Sequence, residues 1–222
     1  MRGRKLYCAS ALFCLACCGK KYADQPPRSP EESLRSIRVI SDFKVDLFAS
    51  EPMVYDPVEM VFDENGRIFV AEMVDYPEDP PPGKPARSRI VMLEDTDGDG
   101  KIDHRTVFAD HVLEVTGLMP WKGGLIVTAA PDILYLKDSK GDGVADVRKV
   151  LYTGFSMVAP EGRIANPRLN LDNWVYCANG HSGGKSHSGT VTRARPAMPS
   201  SATTLFHALP RVPPPRRRSS WG

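Results

Sequence analysis

Two stretches of this chain repeat one another at a distance that few folds accommodate. Ile90-Val-Met-Leu-Glu-Asp-Thr-Asp-Gly-Asp-Gly100-Lys-Ile-Asp103 aligns with Ile133-Leu-Tyr-Leu-Lys-Asp-Ser-Lys-Gly-Asp-Gly143-Val-Ala-Asp146, 43 positions later. Each copy runs from an apolar stretch through an Asp/Gly turn into a second β-rich stretch, Thr106-Val-Phe108 or Lys149-Val-Leu-Tyr152, which is the pattern of a hairpin. A second hairpin type alternates with the first. Val58-Glu-Met-Val-Phe-Asp-Glu-Asn-Gly66-Arg-Ile-Phe-Val-Ala-Glu72 turns at Glu64-Asn65-Gly66, and Gly117 to Ala129 turns at Lys122-Gly123-Gly124. Leu169 to Ala178 is a third copy, turning at Asp172-Asn173. Two hairpins per repeat make four strands, and a period in the forties is that of a propeller blade. Helical solenoids share the period, but no sustained helical apolar pattern is present. The expected fold class is all-β: an incomplete β-propeller of about two and a half four-stranded blades, occupying residues 43–184. Tyr76-Pro-Glu-Asp-Pro-Pro-Pro-Gly-Lys-Pro85 is an insertion too rich in proline for an inner strand and reads as a rigid surface loop.

The flanks differ from this body. Met1-Arg-Gly-Arg-Lys5 precedes an apolar run from Leu6 to Cys18, the layout of a secretory leader and short for a membrane span. Leu15-Ala-Cys17-Cys18 resembles a lipoprotein box, with Cys18 the lipidated residue. Residues 1–18 are therefore expected to be a signal peptide or lipoprotein leader, and the protein to be exported, either periplasmic or held at the membrane through a lipid anchor. Residues 19–42 read as a tether with one short helix, opened by the capping box Ser29-Pro30-Glu31-Glu32. The last acidic residue is Asp172, and from Lys185 the chain is basic and rich in Pro, Arg and Ser. Residues 185–222 are expected to be a disordered tail, and the abruptness of the change fits a shifted reading frame better than a nucleic-acid patch. The basic tail lacks interleaved aromatics and follows an export signal, so no nucleic-acid partner is expected.

Chemistry concentrates in the first Asp-rich turn. Asp95, Asp97, Asp99 and Asp103 stand at positions one, three, five and nine around Gly100, a spacing that can wrap calcium, which takes six to eight oxygens. Thr106 occupies the place of the usual position-twelve glutamate, so the loop is no EF-hand. The same spacing also suits an ion-free hairpin turn. In the second turn Asp138, Asp142 and Asp146 recur, but Lys140 replaces one carboxylate and can neutralise the others. His104 and His111 read as surface residues. His181, in Asn179-Gly-His-Ser-Gly-Gly184, sits in a glycine-rich loop where a site could form, and His187 and His207 fall in the tail. Four of the five cysteines lie in the leader and only Cys177 in the body, so neither a disulfide framework nor a paired zinc motif is formed. No phosphate loop or dinucleotide fingerprint occurs.

The combination of Asp56-Pro57-Val58-Glu59-Met60, Ala71-Glu72-Met73, Leu93-Glu-Asp-Thr-Asp-Gly-Asp-Gly100 and Leu171-Asp172-Asn173-Trp174 resembles the N-terminal domain of a membrane-bound dehydrogenase family of planctomycete-type bacteria. That family is similar to the soluble quinoprotein glucose dehydrogenases, six-bladed propellers that use pyrroloquinoline quinone (PQQ). The resemblance implies a sugar or alcohol dehydrogenase in which a histidine takes the hydroxyl proton. This sequence departs from it at Gly162-Arg163-Ile164, which follows Ala159-Pro160-Glu161 where the family places a histidine, and it has no haem-attachment motif. No catalytic residue is carried over, and Glu161 with Arg163 is the pair of interest.

Two functions follow as expectations. One is an exported portion of a quinone-dependent dehydrogenase-like propeller, inactive as written. The other is a calcium-stabilised propeller without chemistry, binding carbohydrate or protein partners. Blades left without neighbours are expected to favour self-association.

Overall fold

The computed structural model describes residues 26–179, with strands also at 184–188 and 206–208. The leader and most of the basic tail lie outside the described residues, as does His181. The chain divides into two compact units, Met1–Leu47 and Phe48–Gly222. The described part of the first holds one helix, α1 (Pro30–Ser36). Its cap forms as the sequence predicts: the Glu32 N–H donates to Ser29 Oγ at 3.2 Å, and the Ser29 N–H donates to Glu32 Oε2 at 3.1 Å. Among the described residues no helix is long and apolar enough to cross a membrane.

The second unit is all-β and antiparallel. Sheet one is a meander of β1 (Pro57–Phe62), β2 (Ile68–Glu72), β3 (Arg89–Glu94) and β4 (His104–Ala109), in that spatial order. Sheet two repeats the meander with β5 (Gly117–Trp121), β6 (Gly124–Ala129), β7 (Asp132–Lys137) and β8 (Val147–Phe155). Sheet three begins the same way with β9 (Ala165–Leu169) and β10 (Val175–Ala178). The hairpins read from the sequence are thus the strand pairs β1–β2, β3–β4, β5–β6, β7–β8 and β9–β10.

Two later strands depart from the disordered tail expected from residue 185. β11 (Gly184–Ser188) pairs with the outer edge of β8, and β12 (Phe206–Ala208) pairs with β10. A sheet edge offers a row of unsatisfied N–H and C=O groups to any extended segment, whatever its side chains. Composition argues against a packed core, and it is silent about backbone pairing of this kind.

Side-chain alternation gives the central strands of sheets one and two a buried face on either side. Phe69, Ala71, Ile90 and Met92 on one face of sheet one pack against Leu118, Leu125, Val127 and Leu134 of sheet two. The Phe69 and Phe108 rings meet edge-on at 4.9 Å within this layer. On the opposite face of sheet two, Met119, Ile126 and Ile133 pack against Ile164, Val175 and Cys177 of sheet three. The far face of sheet one, with Ile68, Val70, Val91 and Leu93, is covered by Ala49, Val54 and Ile102. The outer strand β1 departs from this, leaving Val58, Met60 and Phe62 about half exposed, as β9 leaves Leu169.

Two local features hold the layers in register. A methyl group on Gly117 would lie 2.6 Å from Pro167 Cδ and 2.8 Å from the Asn166 nitrogen, so a residue without Cβ lets β5 and β9 approach. The carboxylate of Glu72, fully buried, accepts from Arg89 Nε at 2.6 Å, Arg105 NH2 at 3.0 Å and the Tyr55 N–H at 3.0 Å. Arg105 also donates to the Met53 carbonyl at 3.0 Å, which straps the segment before β1 onto sheet one.

Leu118 is fully buried between sheets one and two. Leu118→Ala is expected to lower stability by about 2–5 kcal/mol, whereas Val58→Ala, on the exposed face of β1, should change it by less than about 0.5 kcal/mol. Urea denaturation followed by tryptophan fluorescence distinguishes the two.

Candidate functional site

Antiparallel connectivity sorts the loops to two ends of the sheets. The β3–β4 and β7–β8 connections, which carry the aspartates, lie at one end. The β2–β3, β4–β5 and β8–β9 connections lie at the other. Each end gathers charged side chains, and the two gatherings differ in burial.

At the first end the loops share one internal scaffold. Asp95 accepts from the Gly98 N–H at 2.7 Å and the Gly100 N–H at 2.8 Å. Asp138 accepts from Gly141 at 2.6 Å and Gly143 at 2.8 Å in the same way. Asp103 is engaged by the Thr96 N–H at 3.0 Å and Thr96 Oγ1 at 2.6 Å, as Asp146 is by Ser139, at 2.7 Å for both contacts. These bonds hold the first and last aspartate of each loop below the usual carboxylate range: the Gly100 N–H does most for Asp95, the Thr96 hydroxyl for Asp103, the Gly143 N–H for Asp138 and the Ser139 hydroxyl for Asp146. The turn is therefore built by its own hydrogen bonds, since Lys140 in the second loop does not alter it.

Asp95, Asp97 and Asp99 each offer an oxygen within 4.8 Å of the others, all on exposed side chains. Asp103, the fourth residue of the expected set, faces Thr96 and stands outside this cluster. Three converging carboxylates fit a calcium ion in part, leaving at least three ligands to water or backbone oxygen.

The other end is buried. Arg163, its side chain 2% exposed, donates through NH1 to Glu114 Oε2, and Glu114 is 1% exposed. Arg163 NH2 donates to the Met157 carbonyl at 2.8 Å. Above the same guanidinium sits Asp79, from the proline-rich insertion and 48% exposed, with its carboxylate 3.5 Å from both terminal nitrogens. Arg163 Nε and Glu114 Oε1 are buried without a hydrogen-bond partner among the described residues. Glu114 also has a backbone φ of +37°, left-handed geometry that a residue with a Cβ rarely adopts and that collects at functional sites. Burial raises the Glu114 carboxyl above its ordinary range, resisted by the Arg163 charge and reinforced by repulsion from Asp79.

Along the insertion runs a half-open cleft of about 280 Å³ lined by Asp75, Tyr76, Glu78, Asp79 and Arg87 among others. Asp75 anchors the loop: its carboxylate accepts from the Ser88 N–H at 2.7 Å and the Arg87 N–H at 2.8 Å. Burial works to raise the Asp75 carboxyl, but the bonds from Ser88 and Arg87 outweigh it and hold it low. Tyr76 is 56% exposed and presents its ring to solvent.

The family described as a domain of unknown function (DUF7133) matches residues 29–205. The chain belongs to the DUF7133 family. No curated protein matches the sequence, and no solved structure matches it. The DUF7133 match covers both ends just described and continues past the composition change at residue 185.

Within this DUF7133 domain the other sequence candidates are dispersed. Glu161 is exposed, and Arg163 turns from it to Glu114 and Asp79. His104 is exposed, with Nε2 3.1 Å from Thr106 Oγ1, and His111 Nδ1 lies 2.6 Å from the Ala86 carbonyl. His187 and His207 occupy register positions in β11 and β12. Burial pushes the Cys177 thiol up to about 12, so it is protonated and unreactive at neutral pH. Sequence reasoning missed Glu114 and Asp79. A signal for Glu114 existed: it stands between Val112 and Val115, both fully buried, where an acid needs a partner.

Because Glu114 and Arg163 are buried partners, Glu114→Ala and Arg163→Ala should each destabilise the domain by about 3–5 kcal/mol, and the double variant by clearly less than their sum. Glu161→Ala should be near neutral. Chemical denaturation of the four proteins checks this, and additive losses would contradict the pairing.

Proposed function

We propose that the three stacked sheets are consecutive blades of a β-propeller and that the cleft at the β2–β3 end binds a carbohydrate. The carrying observation is the combination in one 280 Å³ cleft of an exposed aromatic ring, Tyr76, with the acids Asp75, Glu78 and Asp79 and the cation Arg87. A ring face supplies apolar area to the C–H face of a sugar at low entropic cost, and fixed acceptors and donors read its hydroxyls. The buried Arg163–Glu114 pair meets the insertion through Asp79, which lines the cleft. The blade reading is supported by the meander of each sheet, by face-to-face stacking and by the 43-residue repeat. Half-exposed Val58, Met60 and Phe62 on β1 fit a ring in which further strands, or a second copy, lie against sheet one.

In this reading the domain works outside the cytoplasm, exported by the leader and held there directly or through a lipid. It is a binding module. A quinone-dependent dehydrogenase-like propeller is the second reading, favoured by the raised carboxyl of Glu114, a group suited to hold a proton. The cleft, lined by Asp75, Glu78 and Asp79, does not fit pyrroloquinoline quinone, a tricarboxylate.

Calorimetric titration with a panel of neutral and acidic oligosaccharides is the test. Binding should appear for at least one and weaken about tenfold or more in Tyr76→Ala, the loss of one stacked ring. Dye reduction with added quinone and the same sugars would instead favour the dehydrogenase.

We further propose that Asp95, Asp97 and Asp99 bind calcium as a brace on the β3–β4 hairpin, with Asp103 joining on release from Thr96. Calcium chloride should raise the melting temperature of the wild type and leave Asp97→Asn unmoved. An equal response from both proteins would remove the site from consideration.

A further inference from the structure

The acids that line the cleft are unequally committed to the fold. Asp75 is fully engaged: its side chain is 1% exposed, and its carboxylate accepts from the Ser88 N–H, the Arg87 N–H and Arg87 Nε. Asp79 is half exposed and lies 3.5 Å from both terminal nitrogens of Arg163, a guanidinium it shares with Glu114. Glu78 is exposed, and its carboxylate has no hydrogen bond or ion pair among the described residues. The lining thus sets three carboxylates against the single guanidinium of Arg87, which is itself held by Asp75 and the Val74 carbonyl. Arg163 already faces Glu114, so it offsets at most part of the excess.

Negative charge in a half-open cleft beside an exposed aromatic ring, that of Tyr76, is a setting for an ammonium group. The carboxylates attract it directly, and the ring face attracts it through its quadrupole. A metal ion fits this lining less well, because it needs convergent oxygens. Among the described residues the carboxylates of Asp75, Glu78 and Asp79 do not gather at one point as those of Asp95, Asp97 and Asp99 do. Acids spread along a loop match positive charges spread along a ligand.

We infer that the carbohydrate taken by the cleft is an amino sugar with its amines free, an oligomer carrying one ammonium per ring. One ring stacks its C–H face on Tyr76, and ammonium groups of that ring and its neighbour pair with Glu78 and Asp79. Turning Asp79 to the ligand costs little, because its contact to Arg163 is long and half exposed. The N-acetylated form of the same oligomer keeps the stacking and loses the charge contacts, since its amides are neutral.

This inference rests on the carbohydrate reading of the cleft, and the experiment separates the two. A glucosamine tetramer, its N-acetylated counterpart and tetralysine are titrated by calorimetry into the wild-type protein, Glu78→Gln, the double variant Glu78→Gln/Asp79→Asn, and Tyr76→Ala. The amine form should bind about fivefold or more tightly than the acetylated form, the scale of two exposed ion pairs. Added salt should shrink that difference. Glu78→Gln should weaken the amine form by about two- to fivefold and leave the acetylated form unchanged, and the double variant should bind the two forms alike. Tyr76→Ala should weaken both. If wild-type protein binds the two forms equally, or the preference survives in the double variant, the amino-sugar inference is overturned while the carbohydrate reading stands. If tetralysine binds as tightly as the glucosamine tetramer, the cleft reads charge alone and the amino-sugar inference is likewise overturned. If no sugar of any charge binds, the carbohydrate reading falls and this inference with it.

Discussion

Sheet two is apolar on both faces, and the architecture depends on that double burial. Leu125 and Val127 of β6 face sheet one, and Ile126 between them faces sheet three. A strand with this alternation cannot lie at a water boundary on either side without exposing a row of aliphatic side chains, each worth about 1.5–3 kcal/mol when buried. Layers must therefore form on both sides of it. Once stacked, the layers fix where their connections emerge, and the antiparallel meander fixes which connections share an end. The Glu114–Arg163 pair is a consequence: two loops separated by the whole of sheet two in sequence are brought together because sheets one and three flank it.

Burial then gives the same residue types different properties at the two ends. At the exposed end, carboxylates accept backbone N–H bonds and stay ionised, and Asp95 and Asp138 build the same turn. At the other end burial raises the Glu114 carboxyl against the pull of the Arg163 guanidinium, and one of its oxygens has no hydrogen-bond partner among the described residues. Buried, imperfectly satisfied charge on a strained backbone is unfavourable for folding.

The proline-rich insertion gains a role from the same geometry. Its prolines keep it out of the sheet, while Asp75 ties its base to Ser88 and Arg87 through short bonds. A loop fixed at its base can carry Asp79 to Arg163 and expose Tyr76 beside it. Stiffness limits the entropy lost when a ligand is bound.

The all-β class, the pairing of hairpins, the Asp/Gly turns and the helix cap were legible in the sequence because each depends on residues close in the chain: alternation sets strand faces, Gly66 and Gly98 permit their turns, and Ser29 with Glu32 closes the cap. The local scaffolds of the two Asp-rich loops follow from the same short spacing. What the sequence could not decide was partnership across distance. Arg163 was legible as a residue of interest, but its nearest acid in the chain, Glu161, points to solvent, and the acids it meets come from positions 79 and 114. Likewise the edges of β8 and β10 paired with segments whose composition promised no structure, because backbone hydrogen bonding ignores side-chain identity. Local propensity wrote the strands and turns. Stacking of the sheets, a matter of buried area summed over all of them, chose which charges would meet.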